Sequence, residues 1–184
     1  LHSVNDGKAI LAKRYAGKAD NPRIFAHQLS DEILALGQLK GVARTKIAFV
    51  SDRDSEGKRS KELYIMDYDG FNPRRVTVNK SINILPAWSP DGRSLAYVSY
   101  RRQSPDIYLA SIFEGKSANL TNGAGQSFAP AFSPDGKRIA YASSRGGNMG
   151  IWIANADGSG ARKLTSSAGL DTAPVWSLTG QEIA

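Results

Sequence analysis

Two aspartates sit in near-identical settings, Asp91 in PAWSPDG at residues 86–92 and Asp135 in PAFSPDG at residues 130–136. A carboxylate pair is the minimum equipment for acid–base hydrolysis, so it is the first chemistry to weigh. A third copy, PVWSLTG at residues 174–180, has lost both the second Pro and the Asp. Repetition at a fixed interval puts each carboxylate on a separate structural unit, and the Asp of a Pro-Asp-Gly turn hydrogen-bonds its own turn. Asp91 and Asp135 are therefore read as turn residues. Other chemistries are thinly supplied. With no cysteine there is no thiolate zinc site, disulfide or Cys nucleophile. The two histidines, His2 and His27, make neither a metal cluster nor a catalytic pair, and His27 reads as a surface or packing residue. The nearest approach to a Gly-X-Ser-X-Gly nucleophile elbow is GQSFA at residues 125–129, which lacks the closing Gly. Asp171 offers one acid toward a cation, too little for a site. No cofactor is expected, and no enzyme.

The balance of 24 basic against 17 acidic residues gives a net charge of +7. The bases are scattered among the acids, locally dense only at Arg101-Arg102 and Arg74-Arg75. This describes a solvated basic surface suited to an acidic partner, with no nucleic acid expected. No apolar run approaches the ~18 residues that span a bilayer, so no membrane insertion is expected. The chain opens on Leu1-His2-Ser3 without Met, as a mature or trimmed product would. Its 18 Gly and 8 Pro suit short strands joined by turns and argue against a helical bundle.

The elements that position these residues follow from one period. The motif prolines Pro86, Pro130 and Pro174 are 44 residues apart, as are Thr77, Thr121 and Thr165, and Leu63, Ile107 and Ile151. The interval from Ile47 to Leu95 is 48, and its four extra residues belong to the polar stretch SDRDSEGKRSKE, a loop insertion. Each unit resolves into four short segments. Segment A, the PAWS type, is joined by the Pro-Asp-Gly turn to segment B (RSLAYVS, KRIAYAS). Segment C is the most apolar (ELYIMDYD, DIYLASIF, GIWIANAD), and segment D (RRVT, SANLT, ARKLT) is more polar and outermost. Four antiparallel strands per ~40–45 residues is the arithmetic of a β-propeller blade. An immunoglobulin-like sandwich is the rival, but it needs no near-identical repeats. Trp88, Phe132 and Trp176 share one repeat position and are expected to pack blade on blade.

The fold expected is mainly β: three four-stranded repeats of a six-bladed type, after a strand–helix remnant of an α/β domain. Residues 1–44 form the remnant, and residues 45–184 the repeats, about 45–92, 93–136 and 137–184. In the remnant, KAILAKRY at residues 8–15 alternates as a strand should. Asn21-Pro22 then opens a helix with Phe25, Leu29, Ile33 and Leu36 on one face, ending near Gly37 or Gly41.

The stretches RIFAHQLSDEIL (residues 23–34) and GVARTKIAFVSDR (residues 41–53), followed by tandem WSPDG repeats, resemble the TolB family of periplasmic Tol-Pal envelope proteins. The resemblance covers essentially the whole chain, and its helix with the ARTKIAFVS junction is more specific than the repeat. It implies a periplasmic location and an N-terminal α/β domain on a six-bladed propeller. It also implies binding of a Pal-like peptidoglycan-associated lipoprotein, with a TolA-like protein contacting the N-terminal region. The front of that N-terminal domain and the blades after Ala184 are absent from this sequence, which leaves TolA contact open. A second reading is the gating propeller of a serine oligopeptidase-like enzyme, whose hydrolase domain would carry the chemistry.

Within the propeller reading, the loops from D to A enter a central channel just before each motif proline, and the resemblance makes this rim the lipoprotein site. The residues proposed to bind are Asn83, Leu85, Gln126, Ser127, Phe128, Asp171 and Thr172, with Arg101 on a B–C loop adding charge complementarity. Phe128 has two readings, an apolar anchor for the partner or a filler of the inter-blade core. The strand count leaves the first blade without its inner strand. Either the sequence is part of a longer chain, or a homodimer closes a six-bladed ring with residues 172–177 of one copy completing the other's first blade.

Overall fold

A computed structural model describes residues 1–17, 21–55 and 59–184. The chain divides into two compact units, residues 1–46 with 67–69, and residues 47–66 with 70–184.

The first unit is built on α1 (Pro22–Leu36), with Pro22 in its first turn and Gly37 as C-cap. The Asn21 side chain makes no capping bond, so the start rests on Pro22, whose fixed φ suits a first helical residue. The buried residue of the helix is Asp31, which accepts hydrogen bonds from Ala43 N (2.8 Å) and Arg44 Nε (2.9 Å). Those two donors hold its carboxyl below the usual carboxylate range. Its neighbour Glu32 accepts from the Tyr15 hydroxyl (2.6 Å), Gln28 and Lys13, which pull its carboxyl down to about 2. By contrast, Leu29, Ile33 and Leu36 of the expected apolar face are exposed. Residues 8–15 do not form the expected strand: one isolated bridge, His2 to Ala9, marks the segment. Alternation alone does not make a strand without a neighbour to satisfy its backbone.

The second unit carries three antiparallel sheets among the described residues. The first has three strands in the order β1 (Lys46–Ser51), β2 (Glu62–Asp67) and β3 (Arg74–Arg75). The second runs β4 (Asn83–Trp88), β5 (Ser94–Arg102), β6 (Ser104–Ser111), β7 (Ser117–Asn119). The third repeats it with β8 (Ser127–Phe132), β9 (Arg138–Ser143), β10 (Gly150–Asn155), β11 (Arg162–Lys163). Simple up-and-down order with the polar strand at the edge is what a blade requires. The polar insertion after β1 includes residues 56–58, which lie outside the described residues.

Each A–B hairpin turns on the same polar device. Ser89 Oγ donates to Asp91 (2.6 Å) and Asp91 accepts from Arg93 N (3.0 Å), with Ser133, Asp135 and Lys137 repeating the pattern. In the third copy Thr179 replaces the Asp, its Oγ1 3.1 Å from Ser177 Oγ. Gly92, Gly136 and Gly180 all take φ near +70°, the region a side chain resists, so Gly outlasts both Pro and Asp there. Behind this third turn Trp176 bridges to Ile183, and Val175 exchanges backbone bonds with Ala184 (2.9 Å). Val175 and Ser177 thus pair with residues 182–184 of the same chain.

The second and third sheets enclose the main core: Ala96, Val98, Ile107, Leu120, Ile139 and Tyr141, flanked by Phe128 and Phe132. Trp176, at the repeat position of Phe132, donates Nε1 to Ala131 O (3.0 Å) under the Arg138 guanidinium, 4.6 Å from its ring. A smaller cluster of Leu63, Tyr97, Tyr108 and Ala110 joins the first sheet to the second.

The inner strands begin earlier than the motif proline suggests. Residues 83–85 and 127–129, expected as loop, belong to β4 and β8. Leu85, Ala129 and Ala173, each just before its proline, adopt φ of 53°, 49° and 54°. In β4 and β8 this coincides with a register shift, between Ile84 and Ala87 and between Phe128 and Ala131. A left-handed residue is how a strand absorbs one extra residue, and it costs a non-glycine residue about 1–2 kcal/mol. Ala129→Gly is therefore expected to raise stability by about 0.5–1 kcal/mol after allowing for glycine's freer unfolded chain. Chemical denaturation would measure it, and a destabilisation would mean the bulge is unstrained.

Candidate functional site

The candidate site is the end of the second unit where each inner strand starts and each B strand finishes, since Asn83 pairs with Ser99 and Ser127 with Ser143. The residues proposed for partner binding separate sharply here by burial.

Asn83 and Ser127, expected on an accessible rim, are buried strand residues at 0% and 1% exposure. Asn83 Nδ2 donates to Lys61 O (2.9 Å) and Glu62 Oε2 (3.0 Å), and Ser127 Oγ to Ser143 Oγ (3.1 Å). Phe128 is half-buried and packs on the main core. Leu85 is 49% exposed at the bulge. Gln126 and Thr172 are also exposed. The Gln126 backbone is held on both sides, by Ser144 Oγ accepting from its N (3.0 Å) and Ser144 N donating to its O (3.0 Å).

Arg101 is exposed but occupied. Its guanidinium lies 3.6 Å from the Tyr108 ring centroid and donates to Ser117 Oγ (3.0 Å). Arg53 over Tyr64 (5.0 Å) and Arg145 over Trp152 (5.1 Å) hold the same repeat position. An arginine is thus stacked on the C-strand aromatic in three successive sheets, each stack contributing about 0.5–1 kcal/mol at an exposed site.

Sequence reasoning missed an acid–threonine device in the first two repeats. In the first repeat, Thr77 Oγ1 accepts from Leu63 N (2.9 Å) and donates to the buried Glu62 (2.5 Å). In the second, Thr121 Oγ1 accepts from Ile107 N (3.0 Å) and donates to the buried Asp106 (2.8 Å). The third repeat has Thr165 accepting from Ile151 N (3.0 Å), but Gly150 stands where the acid should be. A Cβ at Gly150 would lie 2.6 Å from the Lys163 side chain, so the place is filled. Asp171 accepts from the Ser167 hydroxyl (2.7 Å), and the neighbouring Thr165 and Ser167 hydroxyls hold its carboxyl below the usual carboxylate range. The clue lay in an acid at the head of segment C with Thr 15 residues on, at 62/77 and 106/121.

Among the described residues no helix is long and apolar enough to cross a membrane. A family model described as the TolB beta propeller domain matches residues 34–184. A Tol-Pal system protein TolB from Desulfosudis oleivorans is 40% identical over 117 residues, covering 63% of this chain and 26% of that protein. The TolB of Geobacter metallireducens is 45% identical over 96 residues, 52% of this chain and 21% of that one. The chain thus spans about a quarter of the length of these relatives. The crystal structure of TolB from Acinetobacter baumannii superposes with a TM-score of 0.83 at 29% identity, over 99% of this chain and 46% of that one. An oligogalacturonate lyase in complex with manganese, at 18% identity and a TM-score of 0.55, shares the fold alone. Repeats, sheet order and similarity agree, and the chain belongs to the TolB β-propeller domain family.

Proposed function

We propose that the chain is a non-enzymatic interaction module of the Tol-Pal envelope system, working in the periplasm and docking a Pal-like lipoprotein on the end of the sheets where the inner strands begin. The observation that carries the reading is Leu85, a large apolar side chain left half in solvent at the bulge in a chain of this family. Exposed Gln126 and Thr172 occupy the same end of the next two repeats. The carboxylates that hydrolysis would need serve the scaffold: Asp91 and Asp135 hold their turns, and Glu62 and Asp106 hold strand-D threonines.

Calorimetric titration with the soluble domain of a Pal-type lipoprotein tests this. Leu85→Asn, which tolerates positive φ, combined with Gln126→Ala, is expected to weaken binding about tenfold without lowering the melting temperature. Undiminished binding by the double variant, or none by the parent protein, would sink the assignment.

A further inference from the structure

The cleft between the first and second sheets holds a cavity of about 190 Å³ that the repeat does not require. Its walls include Val76 and Asn79 from the first sheet's end, and Tyr97, Arg101, Lys116 and Ser117 from the second. At the matching place between the second and third sheets, Leu120 replaces Val76 and Ala161 replaces Ser117, and both pack into the main core. Gly160 stands where Lys116 does. Three departures from the repeat therefore turn an apolar seam into a polar hollow.

One donor in the hollow lacks an acceptor. Tyr97 is 0% exposed, and its hydroxyl makes no hydrogen bond. Ser117 Oγ, on the same wall, is engaged by Arg101 (3.0 Å) instead. A buried hydroxyl without a partner is costly, and it persists where the partner arrives with a ligand. Arg101 and Lys116 bring two positive charges, and no carboxylate lines the cavity among the described residues. The volume equals roughly six waters at ~30 Å³ each, below the ~300 Å³ of sites that enclose a whole small molecule. It suits one acidic side chain.

We propose that this hollow is a receptor for a single carboxylate, carried on a Glu or Asp side chain of a protein partner. Tyr97 donates one hydrogen bond, and Lys116 with Arg101 supplies the charge. Neither Leu85 nor Gln126 lines it, so its test does not depend on whether a lipoprotein docks on them.

The test is an NMR titration of the protein with N-acetyl-glutamate amide, following the amides of Gly115, Lys116 and Ser117. Saturable shifts are expected, with the N-acetyl-glutamine amide binding about tenfold more weakly. Tyr97→Phe is expected to weaken the glutamate probe about tenfold while raising the melting temperature of the free protein, because the orphaned hydroxyl is gone. A purely structural Tyr97 would not couple those two changes. Equal binding of the two amides, or unchanged binding by Tyr97→Phe, overturns the proposal. N-acetyl-glycine amide extended to free N-acetyl-glycine is the last arm, and tighter binding of that terminal carboxylate would overturn the side-chain assignment.

Discussion

Thr121→Val is expected to destabilise the protein by about 3 kcal/mol, a large share of the ~5–15 kcal/mol that holds a domain together. Valine keeps the volume and branching of threonine, so the loss isolates the hydroxyl. That hydroxyl joins Ile107 N (3.0 Å) to the buried Asp106 (2.8 Å). Removing it orphans a buried N–H and takes one donor from a carboxylate that retains Asn119 Nδ2 (3.0 Å) and Gly123 N (2.9 Å). Denaturant titration measures the effect, and a loss below ~0.5 kcal/mol would show that the hydroxyl is dispensable. The same experiment separates the third repeat from the others. Thr165→Val, which orphans Ile151 N but takes no donor from a buried acid, is expected to cost less than Thr121→Val.

Phe128→Ala is expected to cost about 2–3 kcal/mol, below the full ~3–5 kcal/mol of a Phe deletion because the side chain is only half-buried. Any fall in partner binding by this variant should track its loss of folded protein and be restored by cooling or a stabilising background. Gln126→Ala, two residues away and exposed, should leave stability within about 0.5 kcal/mol of the parent. Thermal melts beside binding isotherms distinguish the two. If Phe128→Ala melts like the parent protein yet fails to bind, the phenyl ring is a contact residue after all.

The sheet order was legible because the repeat writes it redundantly. Each hairpin glycine, each Ala-Tyr pair in segment B and each strand-D threonine falls on the same interval, so no single position had to be interpreted alone. The start of the inner strand was hidden by its proline. Pro86 reads as the first strand residue, whereas left-handed Leu85 lets pairing continue upstream to Asn83. That displacement alone converted Asn83 and Ser127 from loop residues into buried ones. The acid–threonine pairs escaped notice because the acid changes from Glu62 to Asp106 and gives way to Gly150 in the third repeat. In the first unit, the periodicity of Leu29, Ile33 and Leu36 gave the helix correctly but not the burial of that face. Periodicity reports which side is apolar, not what covers it.

The bonds that fasten each D–A connection also determine what a docking partner would have to immobilise. Gln126 is pinned through its backbone to Ser144, and Asp171, next to Thr172, accepts from Ser167 Oγ (2.7 Å) and donates its N–H to Met149 O (3.3 Å). Ordering those segments is completed during folding, so association leaves mainly the Gln126 and Thr172 side-chain rotamers to freeze, at about 0.5–1.5 kcal/mol for each rotamer-rich side chain. The surface is preorganised, and cutting the Asp171 tether would be felt as an entropic penalty on association by residues that themselves remain unchanged.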